Sequence, residues 1–294
     1  MVPVLFHLPG GIPIYSYGVA LGLSCVLGAH LAVYLATRSG IEEKRAWWFA
    51  ITVIVVGIVG GRVHDVAVNA TSLSEFLAKL TEVQHAGRTA YGAFLSASIA
   101  GVLAARVYRI PFWRIADAVA PTMALGLGLT RVGCFLWGCD YGVHTEAWGM
   151  RFPAGSPAWQ DQIDAGLLTT AASTSLPVFP IQLVESAAGF AIGVGLLWLW
   201  FRRPRREGTV LLGFFASYGL VRALLEVWRA DEGRGELAGM STSMAIGLFT
   251  AGPALLLIFA PPLARLRGDA GEVLPAPRPD DDADDAKKPK KKRA

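Results

Sequence analysis

The chain has 294 residues, of which 53% are hydrophobic and only 17% charged, with a formal charge of +4; an average soluble chain carries about 25% charged residues. The charge is also clustered, since no Lys, Arg, Asp or Glu occurs from Met1 to Thr37 or from Leu237 to Ala264. Such runs are too apolar to face water and long enough to cross a hydrocarbon core of about 30 Å, which excludes a soluble globule, a disordered chain and a disulfide-stapled secreted domain and predicts an all-α polytopic membrane protein.

Apolar windows at about 14–36, 46–66, 88–107, 115–136, 179–201, 208–228 and 240–263 predict seven transmembrane helices. Barrel strands need only about ten alternating residues, so the window lengths favour helices. The first window is preceded by no basic n-region, which argues against a cleaved signal peptide; it holds Tyr17 near one end and Cys25 as core filler. The second ends in Gly60-Gly61-Arg62, with His64 within a turn, and the third opens on Arg88 and Tyr91. The fourth carries Gly126, Gly128 and Gly133, small residues suited to close helix approach, and near its end Arg131 and Cys134.

Residues 138–178 lack helical periodicity and carry turn signals at Gly142, Pro153, Gly155 and Pro157. They read as a small extramembrane cap, with a disordered loop as the alternative. Pro180 then suits the first turn of the fifth helix, which contains Gln182 and Glu185. The sixth contains Tyr218, and Arg222 and Glu226 share one of its faces at i,i+4 spacing. Residues 1–264 thus form a transmembrane domain. The tail 265–294, five Asp followed by a Lys-rich run, reads as disordered and solvated.

Orientation follows from Lys and Arg. With seven spans, 19 of the 27 basic residues fall on one side: the groups around Arg38, Arg109 and Arg203, and the tail. That side is expected in the cytoplasm, with the N-terminus outside. The exceptions are Arg62, Lys79, Arg88, Arg131, Arg151, Arg222, Arg229 and Arg234. Of these, Arg62, Arg88, Arg131 and Arg222 sit at or inside the end of an apolar window, where an unpaired guanidinium costs a few kcal/mol. Snorkelling to headgroups accounts for any one of them. Several on one leaflet face favour bidentate binding of phosphate, hence of a phospholipid headgroup. For Tyr17, Tyr91 and Tyr218 interfacial anchoring is the ordinary explanation.

Cys134, Cys139 and His144 match no standard zinc spacing, and no metal or other cofactor is expected. Residues five apart on a continuous helix face different directions. A disulfide therefore needs the helix to end near Trp137; the alternative is a packing role for at least one thiol.

Five stretches, in order along the chain, resemble the prolipoprotein diacylglyceryl transferase family. Tyr15-Ser16-Tyr17-Gly18 is similar to its first-helix Tyr-Gly, and Gly60-Gly61-Arg62 to its Gly-Gly-Arg. The run from Gly128 through Arg131-Val132-Gly133-Cys134-Phe135 to Gly142 resembles its Gly-Arg-x-Gly-Asn-Phe signature. Pro180-Ile181-Gln182-Leu183-Val184-Glu185 resembles Pro-x-Gln-Leu-Tyr-Glu. Tyr218-Gly219-Leu220-Val221-Arg222, with Glu226 and Arg229, resembles its last arginine-rich stretch.

The resemblance implies transfer of the diacylglyceryl group of phosphatidylglycerol to the lipobox cysteine of preprolipoproteins. It implies a multi-pass protein of the bacterial inner (plasma) membrane that meets membrane lipid and a signal peptide and has no nucleic-acid partner. By the same resemblance Arg131, Arg222, Tyr91 and Glu226 are catalytic candidates, the two arginines binding phosphate and stabilising the leaving group. Tyr17, Arg62, Gly133, Gly142, Gln182, Glu185, Tyr218 and Arg229 are substrate-binding candidates. This chain departs from the family pattern in having Tyr91 where a histidine is usual, Cys134 for the signature Asn, Cys139 at a usually acidic position and Thr130 before Arg131. A phenol, with an ordinary pKa near 10, is a weaker base than imidazole. These departures motivate an alternative: a paralogue that keeps phospholipid binding with lost or altered acceptor chemistry.

Overall fold

The computed structural model describes residues 1–11, 13–81, 90–202, 206–229, 236–237 and 240–259. The charged tail and Arg88, Arg203, Arg205 and Arg234 lie outside them. Among the described residues, a hairpin of β1 (Val4–His7) and β2 (Pro13–Tyr15) leads into α1 (Ser16–Arg38), followed by α2 (Glu43–Asn69), α3 (Leu73–Thr81) and α4 (Ala90–Val107). Next come α5 (Phe112–Trp137), α6 (Pro157–Asp164), α7 (Ile181–Arg202), α8 (Thr209–Leu225), a short pair β3 (Glu236–Leu237) and β4 (Met240–Ser241), and α9 (Thr242–Phe259).

Six of these helices are long and apolar enough to cross a membrane, and Gly92–Val107 is a shorter apolar helix. The seven expected segments are therefore all helical. Their ends differ in instructive ways. Residues 14 and 15 belong to β2, because α1 starts only at Ser16, whose amide donates to the Pro3 carbonyl at 3.0 Å. The sixth span tightens into a 3-10 turn at Glu226–Trp228.

The chain divides into two compact units, residues 29–118 and residues 1–28 with 119–294. In the first, α2 and α4 pack along a seam of small residues. A Cβ on Gly60 would lie 2.0 Å from Ser96 Oγ, one on Gly61 3.0 Å from Ala93 Cβ, and one on Gly92 2.2 Å from His64 Cβ. The Gly-Gly pair before Arg62 is thus a helix-packing feature, consistent with the close approach that small residues permit in lipid. Arg62 itself donates to the Lys79 carbonyl in the last turn of α3, and Asp65 lies 3.9 Å from it. A groove between α2 and α4 has no charged residue in its lining, which leaves it without a charged group to hold an anion.

In the second unit, α5 packs on α1 and α7. Its Gly128 and Gly133 meet α7 and α1: a Cβ on Gly128 would lie 3.0 Å from the Ser186 carbonyl, and one on Gly133 2.6 Å from Ala20 Cβ. Ser186 Oγ donates to the Gly128 carbonyl and Ser24 Oγ to that of Gly126. On the far side α8 and α9 cross where Gly219 faces Gly247.

Within residues 138–178, Tyr141, Phe152, Ala158 and Val178 form an apolar core against which Phe135 of α5 packs. Ser156 caps α6 through the Trp159 amide, Pro157 opens the helix, and Gly155 turns with φ +82°. Gly142 is a correction to the expected turns. It is extended, bridging to Arg229, with its amide on the Phe179 carbonyl at 2.9 Å. A glycine is required there because a Cβ would come within 2.7 Å of both the Phe179 and Trp228 carbonyl oxygens.

Candidate functional site

Three arginines and three carboxylates meet where α5, α7 and α8 end. Arg131 of α5 binds Asp140 Oδ2 through Nη1 at 2.6 Å and Glu185 Oε2 through Nε at 3.0 Å. Arg229, just beyond the 3-10 turn, spans the same two acids, with Nη2 on Asp140 Oδ1 at 2.8 Å and Nη1 on Glu185 Oε1 at 3.0 Å. These four residues close a ring. Arg222 of α8 is a fifth member, on Glu185 Oε1 at 2.9 Å, and brings in Glu226 as the sixth through its Oε2 at 2.9 Å. Ser241 Oγ in turn donates to Glu226 Oε1 at 2.6 Å.

The cluster is formally neutral, and Glu185 is its hub, since it touches all three arginines. Enclosure varies across it: the Arg229 side chain is 3% exposed, Arg222 11%, Arg131 19% and Asp140 33%. Charged forks in a weakly hydrated setting hold their partners strongly, so each guanidinium is fixed before any ligand arrives.

Asp140 is the member that sequence reasoning missed. It follows the end of α5 in a left-handed conformation, φ +54°, after Gly138 at φ +89°. These two residues fold the chain back over the helix end, with the Gly138 and Cys139 amides both on the Cys134 carbonyl. Burial opposes ionisation of Asp140, but Arg131 and Arg229, with hydrogen bonds from Cys134 and Arg229, outweigh it and hold the carboxyl well below the usual range. The hydrogen bond with Cys134, then burial and the neighbouring Cys134 and Asp140, push the Cys139 thiol well above its ordinary value. Cys139 is therefore a protonated thiol and no nucleophile at neutral pH. The cysteines are free, and His144 turns away to pair with Glu146.

A narrow crevice beside the cluster is lined by Arg131, Glu185, Tyr218 and Arg222 with the apolar Leu127, Val221 and Leu225 among others. Tyr218 is held flat against Phe214, ring centroids 5.4 Å apart. Tyr17 faces Arg131, Cys134, Cys139 and Asp140, and Gly133 lets its backbone approach α5. Gln182 is fully buried; its Nε2 donates to the Cys139 carbonyl at 2.8 Å, while its Oε1 has no hydrogen-bond partner among the described residues.

Arg131, Arg222, Glu226, Glu185, Tyr218, Arg229, Tyr17, Gly133, Gly142 and Gln182 thus fall in one compact unit. Arg62 and Tyr91 belong to the other. Tyr91 lies in the first turn of α4, and its side chain is outside the described residues.

Together these features define a polytopic helical membrane protein with an ion-pair network opening on an apolar cleft. The chain belongs to the prolipoprotein diacylglyceryl transferase family, whose family model matches residues 3–259. It is 30% identical over 250 residues to the phosphatidylglycerol–prolipoprotein diacylglyceryl transferase of Clostridium tetani, covering 85% of this chain and 94% of that protein. It is 31% identical over 246 residues to the Geobacter sulfurreducens protein of the same name, covering 81% and 86% of the two chains. Its identity to the second such transferase of Clostridium perfringens is 28% over 240 residues, covering 81% and 88%.

Proposed function

We propose that this chain transfers the diacylglyceryl group of phosphatidylglycerol to the lipobox cysteine of preprolipoproteins, at the outer face of a bacterial inner membrane. The observation that carries this reading is that Arg131 and Arg222 both line the apolar cleft, on either side of Glu185. A phospholipid needs that combination: an apolar wall for its acyl chains and guanidinium forks for its phosphate.

The reaction forms a bond from the cysteine sulfur to the glyceryl carbon and breaks the carbon–oxygen bond to phosphate. The electron pair stays on the departing glycerol phosphate, and the thiol proton goes to a base. Arg131 and Arg222 bind the phosphodiester and stabilise the charge that grows on its leaving oxygen. Glu226 keeps Arg222 in register, because its two oxygens are already engaged by Arg222 and Ser241. Arg229 and Glu185 hold the frame in which Arg131 is aimed. Tyr218 lines the cleft, Gly142 bridges to Arg229, and Tyr17, Gly133, Gln182 and Arg62 are proposed as substrate-binding residues on the family resemblance. Tyr91 is kept as a catalytic candidate on the family resemblance alone, at the position where the family has histidine.

The test is rescue of bacteria depleted of their own transferase, with mass spectrometry of a reporter lipoprotein. Growth and the added diacylglyceryl mass are expected. Expressed, inserted protein that gives neither result sinks the proposal. The second reading, phospholipid binding with altered acceptor chemistry, is favoured by Tyr91 standing in place of histidine. It predicts that phosphatidylglycerol protects the protein against heat while the reporter stays unmodified.

A further inference from the structure

The turn after α5 brings three potential metal donors to one point. Cys134 Sγ lies 3.2 Å and Cys139 Sγ 3.7 Å from the same oxygen, Asp140 Oδ2. All three donor atoms are within 4.8 Å of one another. Five residues of continuous helix would have separated the thiols; the left-handed Gly138 and Asp140 reverse the chain and bring them together.

The spacing is that of a coordination shell. A tetrahedral ion with metal–sulfur bonds near 2.3 Å and metal–oxygen bonds near 2.0 Å holds its sulfur and oxygen ligands about 3.5 Å apart. The two observed sulfur–oxygen distances bracket that value. Cys134 is buried and the other two donors are part-exposed. Three protein ligands with a free fourth position is an ordinary arrangement for zinc.

We propose that Cys134, Cys139 and Asp140 form a binding site for a thiophilic divalent cation such as zinc. Binding is charge-balanced: the dication enters, two thiol protons leave, and two thiolates with one carboxylate hold it. The arginines therefore meet no added positive charge, and a coordinated thiol gives up its proton to the ion's field. The oxygen that the ion takes is the one Arg131 Nη1 now holds at 2.6 Å. Arg229 keeps the other oxygen, Asp140 Oδ1. An ion at this site thus competes with Arg131 for its partner and leaves the rest of the network in place, which makes it a switch on one guanidinium. The inference goes beyond the transferase reading and does not depend on it.

The experiment uses full-length protein in detergent, with reduced thiols and metal stripped by chelator, titrated with cadmium as the probe. The ultraviolet thiolate-to-cadmium absorption is expected to saturate at one equivalent. It should disappear in Cys139→Ser and Cys134→Ser and persist in Cys25→Ser, whose thiol lies elsewhere in α1. Asp140→Asn should weaken cadmium binding at least about tenfold while retaining the band. Cys139→Ala replaces the serine variant if the latter does not fold. The proposal is overturned if the unaltered, reduced protein gives no band. It is equally overturned if the band survives in the folded Cys139 variant or vanishes in Cys25→Ser. Zinc competing the cadmium off with the same stoichiometry extends the result to the smaller ion, and failure to compete restricts the site to cadmium and overturns the zinc assignment.

Discussion

Arg131 and Arg222 share one counter-ion: Glu185 takes Arg131 Nε on Oε2 at 3.0 Å and Arg222 Nη1 on Oε1 at 2.9 Å. Two guanidinium groups from different helices are thereby set at a fixed spacing on one wall of the apolar cleft. Forks already fixed in place need no reorganisation when charge develops on a phosphate between them. Arg131→Ala and Arg222→Ala are each expected to lower transfer at least about 100-fold. Arg→Lys at either position should not restore it, because an ammonium lacks the planar fork. Turnover of labelled phosphatidylglycerol by purified variants measures this. Near-normal turnover in either alanine variant, at normal protein level, would show that the pair is not the phosphate site.

Glu185 predicts a different phenotype from that of its arginines. It is 8% exposed and contacts all three, so Glu185→Gln leaves a net positive cluster enclosed in protein. Removing one partner from a buried ion pair costs about 3–5 kcal/mol. Among the described residues Glu226 pairs with Arg222 and Ser241, fewer charged partners than Glu185 has, so Glu226→Gln should cost less. Thermal inactivation and aggregation in detergent give the order: unaltered protein most stable, then Glu226→Gln, then Glu185→Gln. The reverse order of the two variants would contradict the hub role.

The helices were legible in the sequence because burial in lipid demands long uncharged runs, and every expected span is found as a helix. The cluster was half legible. Arg131, Arg222, Glu226 and Glu185 stand out as charges in apolar surroundings, the i,i+4 pair Arg222–Glu226 needs only helix geometry, and Arg229 is reached only through the family resemblance. Asp140 did not stand out, because it sits in the cap segment beside Cys139, which occupies the usually acidic position. Its reach to Arg131 and Arg229 depends on two successive left-handed turns, which periodicity cannot reveal. An acid one residue past a missing acid was the available signal. The Gly60-Gly61 pair entered only as part of a family motif, and the small-residue packing seam it provides between α2 and α4 is visible only once the helices are placed.

That seam yields a graded prediction. A Cβ on Gly60 would overlap Ser96, with its Oγ at 2.0 Å and Cβ at 2.2 Å, whereas Gly18 and Gly22 have nothing within 4 Å. Gly60→Ala is expected to lose about 1–3 kcal/mol through overpacking. Gly61→Ala, at 3.0 Å from Ala93 Cβ, falls between, and Gly22→Ala is near neutral or slightly stabilising in a helix. Melting temperatures of the three variants test the ranking. Equal losses at Gly60 and Gly22 would mean that the α2–α4 contact is looser than described.

Gly142 links the cap to the arginine cluster through backbone alone. Its amide bonds the Phe179 carbonyl, the Val143 amide bonds the Trp228 carbonyl, and Arg229 follows directly. An alanine methyl would press within 2.7 Å on two carbonyl oxygens, neither of which can rotate away as a side chain would. The relief available is to part the strand from the Phe179 and Trp228 segments, which moves Arg229 away from Asp140 and Glu185. Gly142→Ala is therefore expected to lose transferase activity out of proportion to its stability, while Gly18→Ala, with open space around its Cα, keeps both. Activity and melting temperature measured on the same preparations separate the two effects. If Gly142→Ala melted lower and yet kept full turnover below its melting point, the strand would be a fastener of the cap with no hold on Arg229.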